Sequence, residues 1–210
     1  MLNMEQILII LSVKLNDHVL IQLGYDTGTA WYKTAGDTSI NRELVESIKT
    51  AIKLGYYHLD GAEVYGPEAE LGLFYQSGVE REENFLVKDA GKARSIVVSN
   101  FLQSHLDTVS KSARIPPSTN QIEYHPYLQH GNLVPFQKDK GIQTASYAPL
   151  TPATWRKYAV DEGEILLRWS LNRSIVTITT CSKESRLISY PRAPNFTLTP
   201  KEIDGISELG

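Results

Sequence analysis

Apolar and polar positions along this chain switch repeatedly between two periods. Short runs rich in branched residues predict buried strands: Leu20-Ile21-Gln22-Leu23-Gly24, Tyr56 to Asp60, Asn120 to Tyr124, Ile142 to Tyr147 and the β-branched Ile175 to Thr180. Between them, apolar residues recur at helical spacing, as in Leu44, Val45, Ile48 and Ile52, then Leu102, Leu106 and Val109, then Leu133 to Lys140. Start signals accompany several helices. Asp37, Thr38 and Ser39 are capping candidates for the first, and Pro67 opens a helix bearing Leu71 and Phe74. Asp161 with Glu164 forms a capping box ahead of Ile165, Leu166 and Trp169. Thr199-Pro200-Lys201-Glu202 starts a last helix with Ile203, Ile206 and Leu209. The apolar opening run Ile7 to Leu11 reads as a buried first strand rather than a membrane span, which needs about 20 such residues.

This alternation predicts an α/β fold with a parallel sheet in a single domain over residues 1–210. Strand signals centre near residues 22, 58, 86, 96, 122, 145 and 177. That is one short of a closed (β/α)8 barrel. One junction breaks the rhythm. Asn84-Phe85-Leu86-Val87 and Ala93 to Asn100 both read as strands, joined only by Lys88-Asp89-Ala90-Gly91-Lys92. A parallel crossover needs roughly a dozen residues, so a strand and its flanking helices are missing after the third strand. Periodicity does not separate an incomplete barrel from an open doubly wound sheet; motifs must.

Composition narrows the partners. A formal net charge of −3 advertises neither nucleic acid nor an anionic membrane surface. Cys181 is the sole cysteine, so no internal disulfide forms, and a reducing, cytoplasmic setting is expected. The five histidines show no metal-ligand spacing.

Three segments carry candidate chemistry. In His58-Leu59-Asp60-Gly61-Ala62-Glu63-Val64-Tyr65-Gly66, an Asp at a strand end precedes a Tyr by five residues. An ionised carboxylate near a phenol in a closed pocket favours proton donation, although an isolated pair of this kind is more often a solvated Asp and a packed Tyr. In Arg94 to Phe101, Ser99-Asn100 taken alone is an ordinary helix cap. In Asn120-Gln121-Ile122-Glu123-Tyr124-His125-Pro126, a strand Gln has an ordinary hydrogen-bonding role as its default.

Together, in this order and at strand ends, these segments resemble the aldo-keto reductase family. The segment Gly28-Thr29-Ala30-Trp31-Tyr32-Lys33 looks like its fungal branch. The resemblance runs from about Lys14 to Gly210 and implies a TIM barrel that binds NADP, or NAD, across its C-terminal face without a Rossmann domain. By resemblance, Asp60 and Tyr65 are the catalytic Asp and the proton-donating Tyr, Lys88 is the candidate catalytic Lys, and Trp31 is the candidate substrate contact. Ser99, Asn100 and Gln121 match residues that hold the nicotinamide carboxamide, and Tyr147 matches the aromatic that stacks on its ring. Thr180, Lys183 and Arg186 match the loop that grips the adenosine phosphate, with Thr180 standing where the family often has Lys.

The pattern also breaks. The family's His-bearing strand has no counterpart, and His18, His58, His105, His125 and His130 are poor substitutes. Lys88 has two placements, the tip of the 84–87 strand or the helix end before the Ser-Asn strand, and its flanks match the second better. The segment after Pro149 is shorter than in the family. Expected partners are a small-molecule carbonyl and, where the open wall is covered, a second copy of the chain; otherwise the protein is a monomer. A secondary-metabolic substrate fits this branch. Two alternatives stay open: an impaired remnant or binding module lacking the His and Lys, and a pocket reused for acid–base chemistry.

Overall fold

The computed structural model describes residues 12–15, 18–21, 23–34, 37–56, 58–61, 66–67, 69–71, 97–112, 116–151 and 162–210. The expected strands at 7–11 and 84–87 lie outside them, as do Tyr65, Lys88, Phe74 and Asp161. A two-stranded hairpin comes first, β1 (Ser12–Leu15) antiparallel to β2 (His18–Ile21), with Ser12 opposite Ile21. The expected Leu20–Gly24 strand is therefore two strands. Leu20 and Ile21 belong to the hairpin, and β3 (Leu23–Asp26) enters the main sheet.

The main sheet holds β3, β4 (His58–Asp60), β5 (Val97–Ser99), β6 (Thr119–Glu123), β7 (Gln143–Tyr147) and β8 (Val176–Thr179). Every pairing is parallel, in the order β4-β3-β8-β7-β6-β5. Chain order therefore runs round the sheet from β3 to β4 at one edge, and from β5 at the other edge back through β8 to β3. That is a barrel's connectivity. Among the described residues the wall is open between β4 and β5, so the fold is an incomplete (β/α)8 barrel.

The described helices are α1 (Arg42–Lys53), α2 (Gln103–Ser112), α3 (Leu133–Asp139), α4 (Glu162–Asn172), α5 (Glu184–Ser189) and α6 (Pro200–Ser207). The start of α1 differs from expectation. Its cap is Asn41, whose side chain accepts the Leu44 N–H at 3.1 Å. Asp37 instead closes a turn on Ser39, accepting its N–H at 2.9 Å and its hydroxyl at 2.6 Å. The Asx turn competes for the same side chain and wins because it lies closer in sequence. At α6 the expected box forms, Thr199 and Glu202 each capping the other.

Helix ends aim the chain back into the sheet. After α1, Gly55 (φ 92°) donates to the Ile52 carbonyl and Tyr56 to that of Ala51; after α3, Gly141 (φ 70°) and Ile142 repeat the pattern on Lys138 and Gln137. These are Schellman motifs, whose left-handed residue suits glycine. Ser174 (φ 61°) fills the same role after α4, donating to the Leu171 carbonyl while Ile175 donates to that of Ser170.

Two apolar clusters lie on the helix side of the sheet. One joins Tyr25, Leu44, Ile48, Tyr56, Leu59 and Leu187; the other joins Leu106, Ile122, Tyr124, Leu133, Trp169 and Ile175. Helix α4 links them, giving Leu167 and Leu171 to the first and Trp169 to the second, and Leu166 to Leu171 are all buried. Ile122 and Tyr124 face the helices on β6, so the strand's period of two turns Gln121 and Glu123 to the other, inner face.

Candidate active site

The C-terminal strand tips converge on that inner face. Asp60 ends β4, Ser99 ends β5, Tyr147 ends β7, and Gln121 is the middle residue of β6. Gln121 Nε2 donates to Asp60 Oδ1 at 3.3 Å. In the sheet order, β4 and β6 are four steps apart, about 19 Å along a flat sheet at ~4.8 Å per step. A direct hydrogen bond across that interval requires the sheet to curl back on itself. This bond is the clearest sign that the six strands form part of a barrel wall.

Ser99, Asn100 and Tyr147 join the same network. Ser99 Oγ donates to the Gln121 carbonyl at 3.1 Å, and the Asn100 backbone N–H donates to the same oxygen at 2.8 Å. Asn100 Nδ2 donates to Ser99 Oγ at 3.3 Å, and the Tyr147 hydroxyl donates to Asn100 Oδ1 at 3.2 Å. The backbone strain is local as well. Asn100 (φ 58°) and Ala148 (φ 51°), the residues directly after Ser99 and Tyr147, both adopt the left-handed region. Such conformations cost non-glycine residues about 1 kcal/mol or more and persist where surrounding contacts impose them. Asn tolerates the conformation better than most residues, which explains its place at this turn.

Two supporting residues have roles that sequence reasoning did not assign. Asn120 is fully buried, and its amide pairs with the Phe101 backbone, Nδ2 donating at 2.8 Å and Oδ1 accepting at 3.2 Å. It thereby fixes the turn that carries Asn100. Thr27 donates both its N–H (3.0 Å) and its hydroxyl (2.9 Å) to the Asp60 carbonyl, locking β4's tip to the loop after β3. A polar residue on a strand face otherwise given to apolar packing was the available signal for Asn120; Thr27 offered none.

Asp60's carboxyl is pushed above the ordinary Asp range by burial, offset in part by the Gln121 amide. Trp31, expected at the substrate, lies in the core with 6% exposure, its indole N–H given to the Tyr25 hydroxyl at 3.0 Å. The network does not include it. Thr180, Lys183 and Arg186 follow β8, beside β7, with Lys183 and Arg186 exposed. The Thr180 hydroxyl oxygen is buried without a hydrogen-bond partner among the described residues.

The described histidine side chains occupy other positions. His125 is buried with Nε2 3.2 Å from Glu123 Oε1, His130 bonds the Glu123 carbonyl at 2.7 Å, and His105 Nδ1 accepts the Leu102 N–H. His58 is buried in β4. Among the described residues no group of three or more His, Cys, Asp or Glu is placed to hold a metal ion, and no helix is long and apolar enough to cross a membrane.

An open, curled parallel sheet with polar groups gathered at its C-terminal tips defines the barrel class of enzymes, whose sites lie at that face. Comparison with known proteins is more specific. The Aldo/keto reductase family matches residues 85–162. The NAD/NADP-dependent indole-3-acetaldehyde reductase of Schizosaccharomyces pombe is 28% identical, covering 89% of this chain and 90% of its own. The NADPH-dependent alpha-keto amide reductase of Saccharomyces cerevisiae is 29% identical, covering 88% and 85%. A crystal structure of an aldo/keto reductase from Brucella melitensis superposes with a TM-score of 0.80 at 25% identity, over 96% of this chain and 100% of that one. By these matches this chain is similar to the aldo/keto reductase family. Its alignment to the fission-yeast enzyme spans 257 positions while taking in 89% of the 210 residues here, so it runs through gaps in this chain.

Proposed function

We propose that this chain reduces an aldehyde or ketone to an alcohol using NADPH, or NADH, with Tyr65 as the proton donor. The observation that carries the reading is the hydrogen-bonded convergence of Asp60, Ser99, Asn100, Gln121 and Tyr147 across the curled sheet. A nicotinamide carboxamide both donates and accepts hydrogen bonds, and the Ser99 hydroxyl with the Asn100 and Gln121 amides offers both kinds of partner. Tyr147 supplies an aromatic face for a ring to stack on. The unpartnered Thr180 hydroxyl and the exposed Lys183 and Arg186 suit a phosphate, which favours NADP.

Bound there, the dinucleotide supplies hydride to the carbonyl carbon. The chain's own work is positioning and proton transfer. Ser99, Asn100 and Gln121 would hold the carboxamide, and Tyr147 would offer its ring as a stacking face. The Tyr65 phenol gives its proton to the carbonyl oxygen as negative charge develops there. Lys88 is the group assigned to lowering the phenol's pKa, and Asp60 to orienting that Lys. Gln121 must release Asp60 to engage the carboxamide.

A second reading, an impaired remnant, draws support from Asp60. Its carboxyl is held by the Gln121 amide and burial works against its charge, whereas orienting a lysine calls for a free, ionised carboxylate. One assay separates the two. Nicotinamide fluorescence follows NADPH binding, and its absorbance follows oxidation with a panel of aldehydes and ketones. Turnover that Tyr65→Phe abolishes supports the reductase. Turnover that survives the substitution removes Tyr65 from its role, and binding without turnover selects the remnant.

A further inference from the structure

Lys33 and Glu70 form an ion pair with no part in the network above. Lys33 Nζ stands 2.6 Å from Glu70 Oε1, and the side chains are 7% and 0% exposed. The same ammonium donates to the Ser39 carbonyl at 2.8 Å, and the same Oε1 accepts the Asn41 backbone N–H at 2.7 Å. Glu70 Oε2 is buried without a hydrogen-bond partner among the described residues, so Lys33 is the cation on which this carboxylate depends. Burial alone would raise the Glu70 carboxyl; Lys33 and the backbone N–H groups outweigh it and hold it below the ordinary range. One contact thus ties together the loop after β3, the cap of α1 and the turn that carries Glu70 and Leu71.

The placement of that segment gives the pair a use. Thr27 fixes the Asp60 carbonyl, and at Gly61 an added Cβ would sit 2.8 Å from Leu71 Cδ1 and 3.1 Å from Thr27 Oγ1. Gly66 (φ 78°) lies against the Lys33 stem, where an added Cβ would be 3.1 Å from Lys33 Cβ. Both positions accept only a backbone packed this closely. In the sequence only residues 62–65 separate Gly61 from Gly66, and Tyr65 is one of them.

We propose, resting on the reductase reading, that Lys33 and Glu70 are positioning residues for the proton donor: their buried ion pair fixes the backbone at Gly66, the residue that follows Tyr65 in the sequence. An exposed pair would contribute little to such placement, but a buried pair shared by three segments has one arrangement. Displacement of a reacting group by about 1 Å costs on the order of a hundredfold in rate.

The test compares the full-length wild type with Lys33→Met, Glu70→Gln and Lys33→Arg. It measures kcat, KM, the NADPH dissociation constant by fluorescence quenching, and the folded fraction by circular dichroism. Lys33→Met and Glu70→Gln should lower kcat per folded molecule by about tenfold to a hundredfold, with NADPH affinity within about threefold of wild type. Lys33→Arg should restore most of the loss, because a cation returns to the carboxylate. Should Lys33→Met fail to fold, Glu70→Gln decides the matter, since it keeps side-chain volume and an acceptor for Asn41. An unchanged kcat per folded molecule in these variants, beside an active wild type, overturns the inference alone. A wild type inert towards every carbonyl overturns both it and the reductase reading.

Discussion

Replacing Asp60 with Asn isolates the electrostatics of the site from its geometry. An Asn at this position still presents Oδ1 to Gln121 Nε2, the 3.3 Å bond across the sheet, so the change removes a titrating group with little change of shape. Burial raises the Asp60 carboxyl above its unfolded value, so folding disfavours its charge relative to the unfolded chain. The wild type holds that contribution in full below the unfolded pKa, about 3.9, and loses it as pH rises through the folded value. At pH 8 the ionised carboxylate stays half-buried, with the Gln121 amide as its side-chain hydrogen-bond partner among the described residues. A buried polar group left short of partners costs about 1 to 3 kcal/mol, and more when charged. Asp60→Asn should therefore be about 1 to 3 kcal/mol more stable than wild type at pH 8, raising Tm by about 2 to 12 °C in a chain of this size. The advantage should fade towards pH 4. Urea titrations and thermal melts across pH 4 to 8 measure it directly, and carbonyl reduction should fall even as stability rises. A variant equally or less stable than wild type at pH 8 would refute the reasoning. It would mean that the carboxylate is ionised and paired with a cation, for which Lys88 is the first candidate.

Three further outcomes follow from the site and its scaffold. Tyr147→Phe removes only the 3.2 Å hydroxyl bond to Asn100 and should leave NADPH affinity within about threefold, whereas Tyr147→Ala should weaken it by about threefold to tenfold through loss of the ring, both read by fluorescence quenching. Arg186→Ala should raise the NADPH dissociation constant by about tenfold to a hundredfold while NADH binding stays unchanged; equal effects on both would remove Arg186 from phosphate recognition. Thr199→Ala breaks the capping box of α6 on the outside of the barrel and should lower stability by about 1 kcal/mol in chemical denaturation, with turnover unaltered.

Local chemistry made several elements legible before any coordinates. The run Ile175 to Thr180 is β-branched throughout, and β8 forms there, fully buried. Thr199 and Glu202 stand three apart ahead of an apolar face, and the capping box forms as spaced. Where two local solutions compete for one segment, the pattern is ambiguous. Asp37 had the spacing of a cap, yet its side chain closes a turn and Asn41 takes the helix. Leu20 to Gly24 is one apolar run, but its two ends pair with different strands. Trp31 reads as a site residue in its motif, while the Tyr25 hydroxyl and the core claim its indole.

The amino-acid sequence by itself determined the alternation of strands and helices, the family resemblance, a strand count short of a closed barrel and the residue types brought to the strand tips. These follow from periodicity, crossover length and motif order, all of which are local or additive along the chain. Only the tertiary structure decided that Asp60 meets Gln121 from four steps away in the sheet, that Asn120 and Thr27 brace the tips, and that Lys33 and Glu70 form a buried ion pair. Each of those contacts joins segments far apart in sequence. Their energies depend on burial and on where the sheet curls, which no local pattern encodes.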